Sequence, residues 1–235
     1  MKFRHLLFSV ALMLCGLTAS AGVKDIRIYI NPGHGCWCSE CRHMGTVTHG
    51  FNSADTAGFF ESNTNLQKGI GMFNKLVEYG FVYDKSKGAR NLTNNIVMSR
   101  VASGGVHNGV YDRALSEIAA EAELNNFDMF ISIHSNAATE GATTNYPLFL
   151  YRGYDNSEGN PGSKAMAQAC WPHWIKIPHM MWTHYTSSMN IRGDVSFMGS
   201  SYITNHTNGK SYSGYYGVLR QGVPGFLVEG YFHTY

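Results

Sequence analysis

The sequence predicts an α/β fold: a single domain with a mostly parallel central sheet flanked by helices. Three observations predict it. Strand-like segments alternate along the chain with segments of helical period, the order that builds strand–helix–strand units. MFISIH (Met129 to His134) and GFLVEG (Gly225 to Gly230) are nearly unbroken apolar runs, as expected of strands covered on both faces. With 235 residues, 44% apolar and 14% charged, the chain can bury one core and is not forced into two. It holds no internal repeat, low-complexity tract or linker.

The elements follow in order. Ile26 to Ile30 alternates as a strand does and is stopped by Asn31-Pro32-Gly33. From Ser62 to Tyr79, Leu66, Ile70, Phe73 and Val77 recur at four, three and four residues, one face of a helix that Gly80 should end. Phe81 to Tyr83 reads as a short strand. A second helix is expected over Arg113 to Asn125, capped by Asp112, with Leu115, Ile118, Ala119 and Ala122 inward. Met129 to His134 and Pro147 to Arg152 are strands. A third helix lies within Ser163 to Ile175, where Pro172 must kink or end it. Gly225 to Gly230 is the last strand.

Residues 1–21 form a different kind of segment. MKFRH is a basic start, LLFSVALMLCGL an apolar stretch, and ASA before Gly22 a small-x-small cleavage signal. They predict a signal peptide cut after Ala21 and a mature domain of residues 22–235, periplasmic or secreted. A lipoprotein signal at Cys15 is disfavoured by the bulky Leu14 before it. Losing Lys2 and Arg4 leaves sixteen basic and sixteen acidic residues, so there is no basic field for nucleic acid or anionic membranes. No apolar run beyond residue 25 is long enough to cross a bilayer, and nothing in the sequence sets an oligomeric state.

Chemistry gathers at the strand ends. In open parallel sheets, ligands bind just beyond the carboxyl ends of the strands, and His34, His134 and Glu229 stand at or beyond three such ends. Glu61 opens the first helix. Two histidines and a carboxylate are a known catalytic zinc set that leaves one position open for water. Each residue also has a plainer reading. His34 could be a turn histidine, His134 a buried histidine bonded to backbone, and Glu61 a first-turn acid favoured by the helix dipole. Glu229 is harder to dismiss, since a carboxylate in a buried strand is costly unless paired, protonated or beside a metal.

Four segments in this order, INPGHG, ESNTNL, ISIHSNA and VPGFLVEGYF, resemble the zinc-dependent N-acetylmuramoyl-L-alanine amidases of the amidase type 3 family. The resemblance runs from about Ile26 to Phe232. It implies that His34, Glu61 and His134 bind Zn²⁺ and that Glu229 is the catalytic acid/base. It also implies a site role for Arg220 in GVLRQGVP, which could equally be a structural arginine. The implied substrate is peptidoglycan, and the implied reaction is hydrolysis of the amide between N-acetylmuramic acid and L-alanine. The chain departs from the family pattern at Ile118 and Glu123, where an Arg and an Asn are usual, although Arg113 lies one turn earlier. A zinc peptidase acting within the stem peptide would use the same residues, and a non-catalytic peptidoglycan-binding module would need none of them.

Four cysteines remain after the signal: Cys36, Cys38, Cys41 and Cys170. A structural zinc site would want four closed ligands with spaced cysteine pairs, and only one cluster, C-x-C-x-x-C, is present. Export favours disulfides instead. With His34 given to the catalytic set by the resemblance, the cysteines read as a staple of the adjoining loop, a second metal on Cys36, Cys38 and Cys41 being the alternative. Cys38–Cys41 or a link to Cys170 are the bridges expected, Cys36–Cys38 being too cramped.

Overall fold

Strand β1 (Ile28–Pro32) and strand β3 (Met129–Asn136) pair in parallel with Ile28 opposite Met129 and Pro32 opposite Ile133. They form the middle of the computed structural model, which describes residues 26–35, 61–102, 113–136, 143–178, 180, 182–183, 190–199 and 216–232. The predicted signal segment, Cys36, Cys38, Cys41 and Asp112 lie outside the described residues.

Six strands make the main sheet, in the order β2 (Ile96–Met98), β1, β3, β8 (Gly225–Phe232), β4 (Leu148–Tyr151), β7 (Ile191–Gly193). The first four are mutually parallel. β4 runs antiparallel to β8, and β7 follows β4 in parallel, so the sheet is mostly parallel with a reversed edge pair. A small hairpin of β5 (Gly153–Tyr154) and β6 (Ser157–Glu158) follows β4.

Strand alternation supplies two cores. Ile28, Ile30, Ile131, Ile133, Phe226 and Val228 meet helix α1 (Glu61–Glu78) and helix α3 (Ser163–Trp174). Tyr29, Val97, Phe130 and Leu227 meet helix α2 (Leu115–Leu124) and the 3-10 turn Gly217–Arg220. A short helix, α4 (Asp194–Met198), follows β7. Among the described residues no helix is long and apolar enough to cross a membrane.

Helix α1 ends as its sequence requires. Gly80 adopts φ 95, the Gly80 N–H bonds Val77 O at 3.0 Å, and the Phe81 N–H bonds Leu76 O at 3.2 Å. This is the Schellman pattern, in which a glycine takes the left-handed position and the next residue packs back on the helix.

That ending corrects one expectation. Phe81 to Tyr83 is not a strand, because Phe81 spends its N–H on the helix cap and Tyr83 turns its ring edge-on to Phe73 at 4.8 Å. The edge position beside β1 belongs to Ile96–Met98, a strand that the sequence pattern did not announce. In α2, Ile118, Ala119 and Ala122 are buried as expected, but Leu115 is exposed at the first turn. Helix α3 carries Pro172 in its last turn and ends two residues later.

Candidate metal centre

The site is built where β1, β3 and β8 end. The Gly33 N–H continues the ladder by donating to Ile133 O at 2.8 Å. His34 then turns the chain with φ 58, a left-handed conformation that costs a non-glycine residue about 1–2 kcal/mol. Arg100, just past β2 and buried, holds this turn in place. Its Nε donates to Pro32 O at 3.0 Å, and its Nη2 donates to Gly33 O at 2.9 Å and to Ser62 O at 2.7 Å. One guanidinium thereby joins the turn that carries His34 to the first turn of the helix that carries Glu61.

Glu61 sits between the two histidines. Its Oε2 is 3.1 Å from His34 Nε2, and its Oε1 is 3.2 Å from His134 Nδ1. Oε1 also accepts from the Ser135 N–H at 3.0 Å and from Asn65 Nδ2 at 3.1 Å. One ligand-type atom from each of the three residues lies within 4.8 Å of the others. Ligand atoms around a tetrahedral ion at 2.0–2.1 Å stand about 3.3 Å apart, so the spacing suits a shared divalent cation. His34 Nδ1 is buried with no hydrogen-bond partner among the described residues, which leaves its ring a further lone pair or proton to place. Two nitrogens and one carboxylate oxygen are the donor chemistry of zinc.

Glu229 is the fourth member. It lies in register with His134 on β3 and with Leu148 on β4, and it is 7% exposed. Its Oε2 is buried without a hydrogen-bond partner among the described residues. Burial first, and the Glu61 charge second, push its carboxyl well above the ordinary glutamate range, with Lys68 pulling the other way. Glu61 goes in the opposite direction. Burial alone would raise it, but the charges and hydrogen bonds of His34 and His134 together hold it well below the usual range. Burial lowers His134. Two carboxyls pushed apart at one site are the arrangement by which one binds a cation and the other handles a proton.

Four of the five residues singled out in the sequence therefore meet: His34, Glu61, His134 and Glu229. Arg220 is not brought to them. It ends the 3-10 turn before β8, while Glu229 is near that strand's far end. Arg220 lines a cavity of about 670 Å³ with Ala119, Glu123 and Gln221 on the α2 side, and its carbonyl accepts from Arg152 Nη1 at 3.1 Å. It belongs there because the length of β8 separates it from the metal-type cluster.

Three site residues were not foreseen. Asn65 and Lys68 follow Glu61 by four and seven positions, so helical spacing alone places them on its face. Lys68 Nζ donates to Asn65 Oδ1 at 3.1 Å and stands 4.3 Å from the centre of the Tyr231 ring. Burial, against the pull of Glu61 and Glu229, brings its ammonium down to about 8. Arg100 had no signal of its own, because the strand it follows went unseen.

No family model matches the chain, and no curated protein matches it. Solved structures do. An N-acetylmuramoyl-L-alanine amidase from Clostridium difficile 630 is 20% identical, with a TM-score of 0.52 over 89% of this chain and 81% of that one. The amidase AmiC2 of Nostoc punctiforme is 18% identical, with a TM-score of 0.52 over 90% and 82%. The amidase Ami1 of Mycobacterium smegmatis is 12% identical, with a TM-score of 0.53 over 89% and 83%. At these identities the likeness is one of fold: the chain has the architecture of an amidase catalytic domain.

Proposed function

We propose that this chain is a zinc-dependent cell-wall amidase that hydrolyses the amide between N-acetylmuramic acid and L-alanine in peptidoglycan. The observation that carries the proposal is the pairing of Glu61 with both His34 and His134 while Glu229 stands in register beside His134. The fold likeness and the four sequence motifs support it. Residues 1–21 act as the export signal and residues 22–235 as the amidase domain, working outside the cytoplasm.

In this reading His34, Glu61 and His134 hold the ion. An ion held there would supply Lewis-acid chemistry, polarising the amide carbonyl and lowering the pKa of water at the site to about 7. Glu229 would take the proton of the attacking water on Oε2, which has no hydrogen-bond partner among the described residues, and return it to the amine nitrogen as the amide C–N bond breaks, as base and then acid. Its raised proton affinity suits the second half of that task. Ser135 and Asn65 keep the Glu61 carboxylate oriented. Arg220 takes no part in the proton transfer.

The test is metal content and product identity on purified peptidoglycan. The wild type should bind zinc and free intact stem peptide from the sugar. The Glu229→Gln variant should keep zinc and lose about 10²–10⁴-fold in rate. Cleavage inside the stem peptide would replace the amidase reading with a peptidase, and a well-folded protein that takes up no zinc would remove both.

A further inference from the structure

We propose that Lys68 determines specificity at this site: its ammonium pairs with a carboxylate on the peptide side of the scissile amide, so that acidic stem peptides are favoured over amidated ones. The inference rests on the amidase reading above and adds a substrate class to it.

The placement comes first. Glu61, Asn65 and Lys68 share one face of α1, and Lys68 Nζ reaches over to the ring of Tyr231, two residues past Glu229 on β8. Lys68 therefore stands near enough to both Glu61 and Glu229 for their charges to act on it. Its three N–H donors are unevenly used. One goes to Asn65 Oδ1 at 3.1 Å, and the Tyr231 ring offers only its face. Among the described residues no carboxylate is within ion-pair distance of Nζ, although Glu61 and Glu229 both act on it through space. Among the described residues this half-buried ammonium has donors to spare and no paired counter-charge.

Charge points the same way. Even with Glu61 and Glu229 both ionised, a divalent ion and Lys68 together would leave the loaded site with a surplus positive charge that a substrate carboxylate would neutralise. Such a carboxylate can lie on one side only. The lactyl carboxyl of muramic acid is consumed in the scissile amide, so the free carboxylates belong to the peptide beyond it. Glu229 must also face that side to protonate the leaving nitrogen, and Lys68 meets Tyr231, two residues beyond Glu229 on β8.

The test compares two probes on the zinc-loaded protein, N-acetylmuramoyl-L-alanyl-D-glutamate and its D-isoglutamine (α-amide) counterpart, each with the γ-carboxyl capped as a methylamide so that they differ only in one free carboxylate. The wild type should favour the acid about tenfold in kcat/KM, the worth of one charge-assisted hydrogen bond, with the difference in KM. Lys68→Met should bring the two probes within about twofold, and Lys68→Arg should restore most of the preference. A preference unchanged in Lys68→Met overturns the proposal. So does an equal loss on both probes with weakened zinc binding, which would make Lys68 a support for Asn65 and Glu61 only. Should the wild type cleave neither probe, the amidase reading fails, and calorimetric binding of the two intact probes still decides the role of Lys68. Tighter binding of the acid that is lost in Lys68→Met sustains the proposal, and equal binding of both probes ends it.

Discussion

A side chain on residue 33 would stand where the ring of His134 stands: an ideal Cβ on Gly33 falls 2.2 Å from both Cε1 and Nε2 of that ring. The closeness explains why the turn before His34 carries glycine. Gly33→Ala must displace the His134 ring or open the end of β1 against β3. Since a misplacement of about 1 Å at a reacting centre can cost about hundredfold in rate, hydrolysis should fall by that order. Zinc affinity should fall with it, measured by competition with a chromophoric chelator. Unchanged affinity would mean that the ring moves aside without consequence.

Arg100 connects the two halves of the ligand set without touching a ligand. Its guanidinium serves the carbonyls of Pro32, Gly33, Ser62 and Ala102, and it is buried. Arg100→Met would leave several buried carbonyls without these donors, each such loss costing about 1–3 kcal/mol. Urea unfolding should show a destabilisation of about 3 kcal/mol. Arg100→Lys should recover little of it, because one ammonium cannot span the fork of acceptors that a guanidinium reaches. A loss under about 0.5 kcal/mol would refute this bracing role.

The parts of the fold that could be read from the sequence are those whose burial repeats with a clear period. The face of α1 repeats at four, three and four and stops before Gly80 as expected, while β3 and β8 are nearly unbroken apolar runs that the structure carries two residues further, to Asn136 and Phe232. Ile96–Met98 escaped notice because three residues are too few for alternation to show between Asn95 and Ser99. Phe81 to Tyr83 misled because an apolar-x-aromatic run looks the same whether its N–H groups join a ladder or cap a helix. The reversal of β4 against β8 was equally hidden, since a strand buried on both faces carries no mark of direction. At the site, residue type and strand-end position pointed to His34, His134 and Glu229, whereas Arg220 was expected from its motif alone, which does not say at which end of β8 it stands. The five residues from Gly225 to Glu229 span about 13 Å of strand, enough to carry Glu229 to the other end of the sheet.

On the opposite face of the sheet, Glu121 ties α2 to β1. Its Oε1 accepts from the Tyr29 hydroxyl at 2.7 Å and its Oε2 from Arg113 Nη2 at 2.6 Å. Burial would raise its carboxyl, but the Arg113 and Tyr29 hydrogen bonds outweigh that and hold it below the ordinary 4.5. A depressed acid contributes stability that is whole above its unfolded value and is lost as pH falls through the folded one. Glu121→Gln should therefore cost about 1–2 kcal/mol at pH 7, and the gap to wild type should narrow as pH drops below about 4.5. Unfolding midpoints across that range check it, and a gap that does not change with pH would count against it.

Asn65 offers the sharpest separation of metal binding from folding. It is fully buried, and its side chain is used at both ends: Nδ2 donates to Glu61 Oε1, and Oδ1 accepts from Lys68. Asn65→Leu keeps the branched shape and the helix while removing both bonds. Glu61 would lose one of the two donors that orient Oε1, and partners of this kind are worth about 10–100-fold in metal affinity. Zinc should therefore bind about 10–100-fold more weakly to Asn65→Leu, while far-ultraviolet circular dichroism stays that of the wild type. Asn65→Asp separates orientation from charge. It keeps an acceptor for Lys68 but sets a second carboxylate against Glu61, which should raise the proton affinity of the pair and move the onset of zinc binding to higher pH. If zinc bound to Asn65→Leu as tightly as to wild type, the Ser135 N–H alone would suffice to hold Glu61, and the α1 face would be no more than packing.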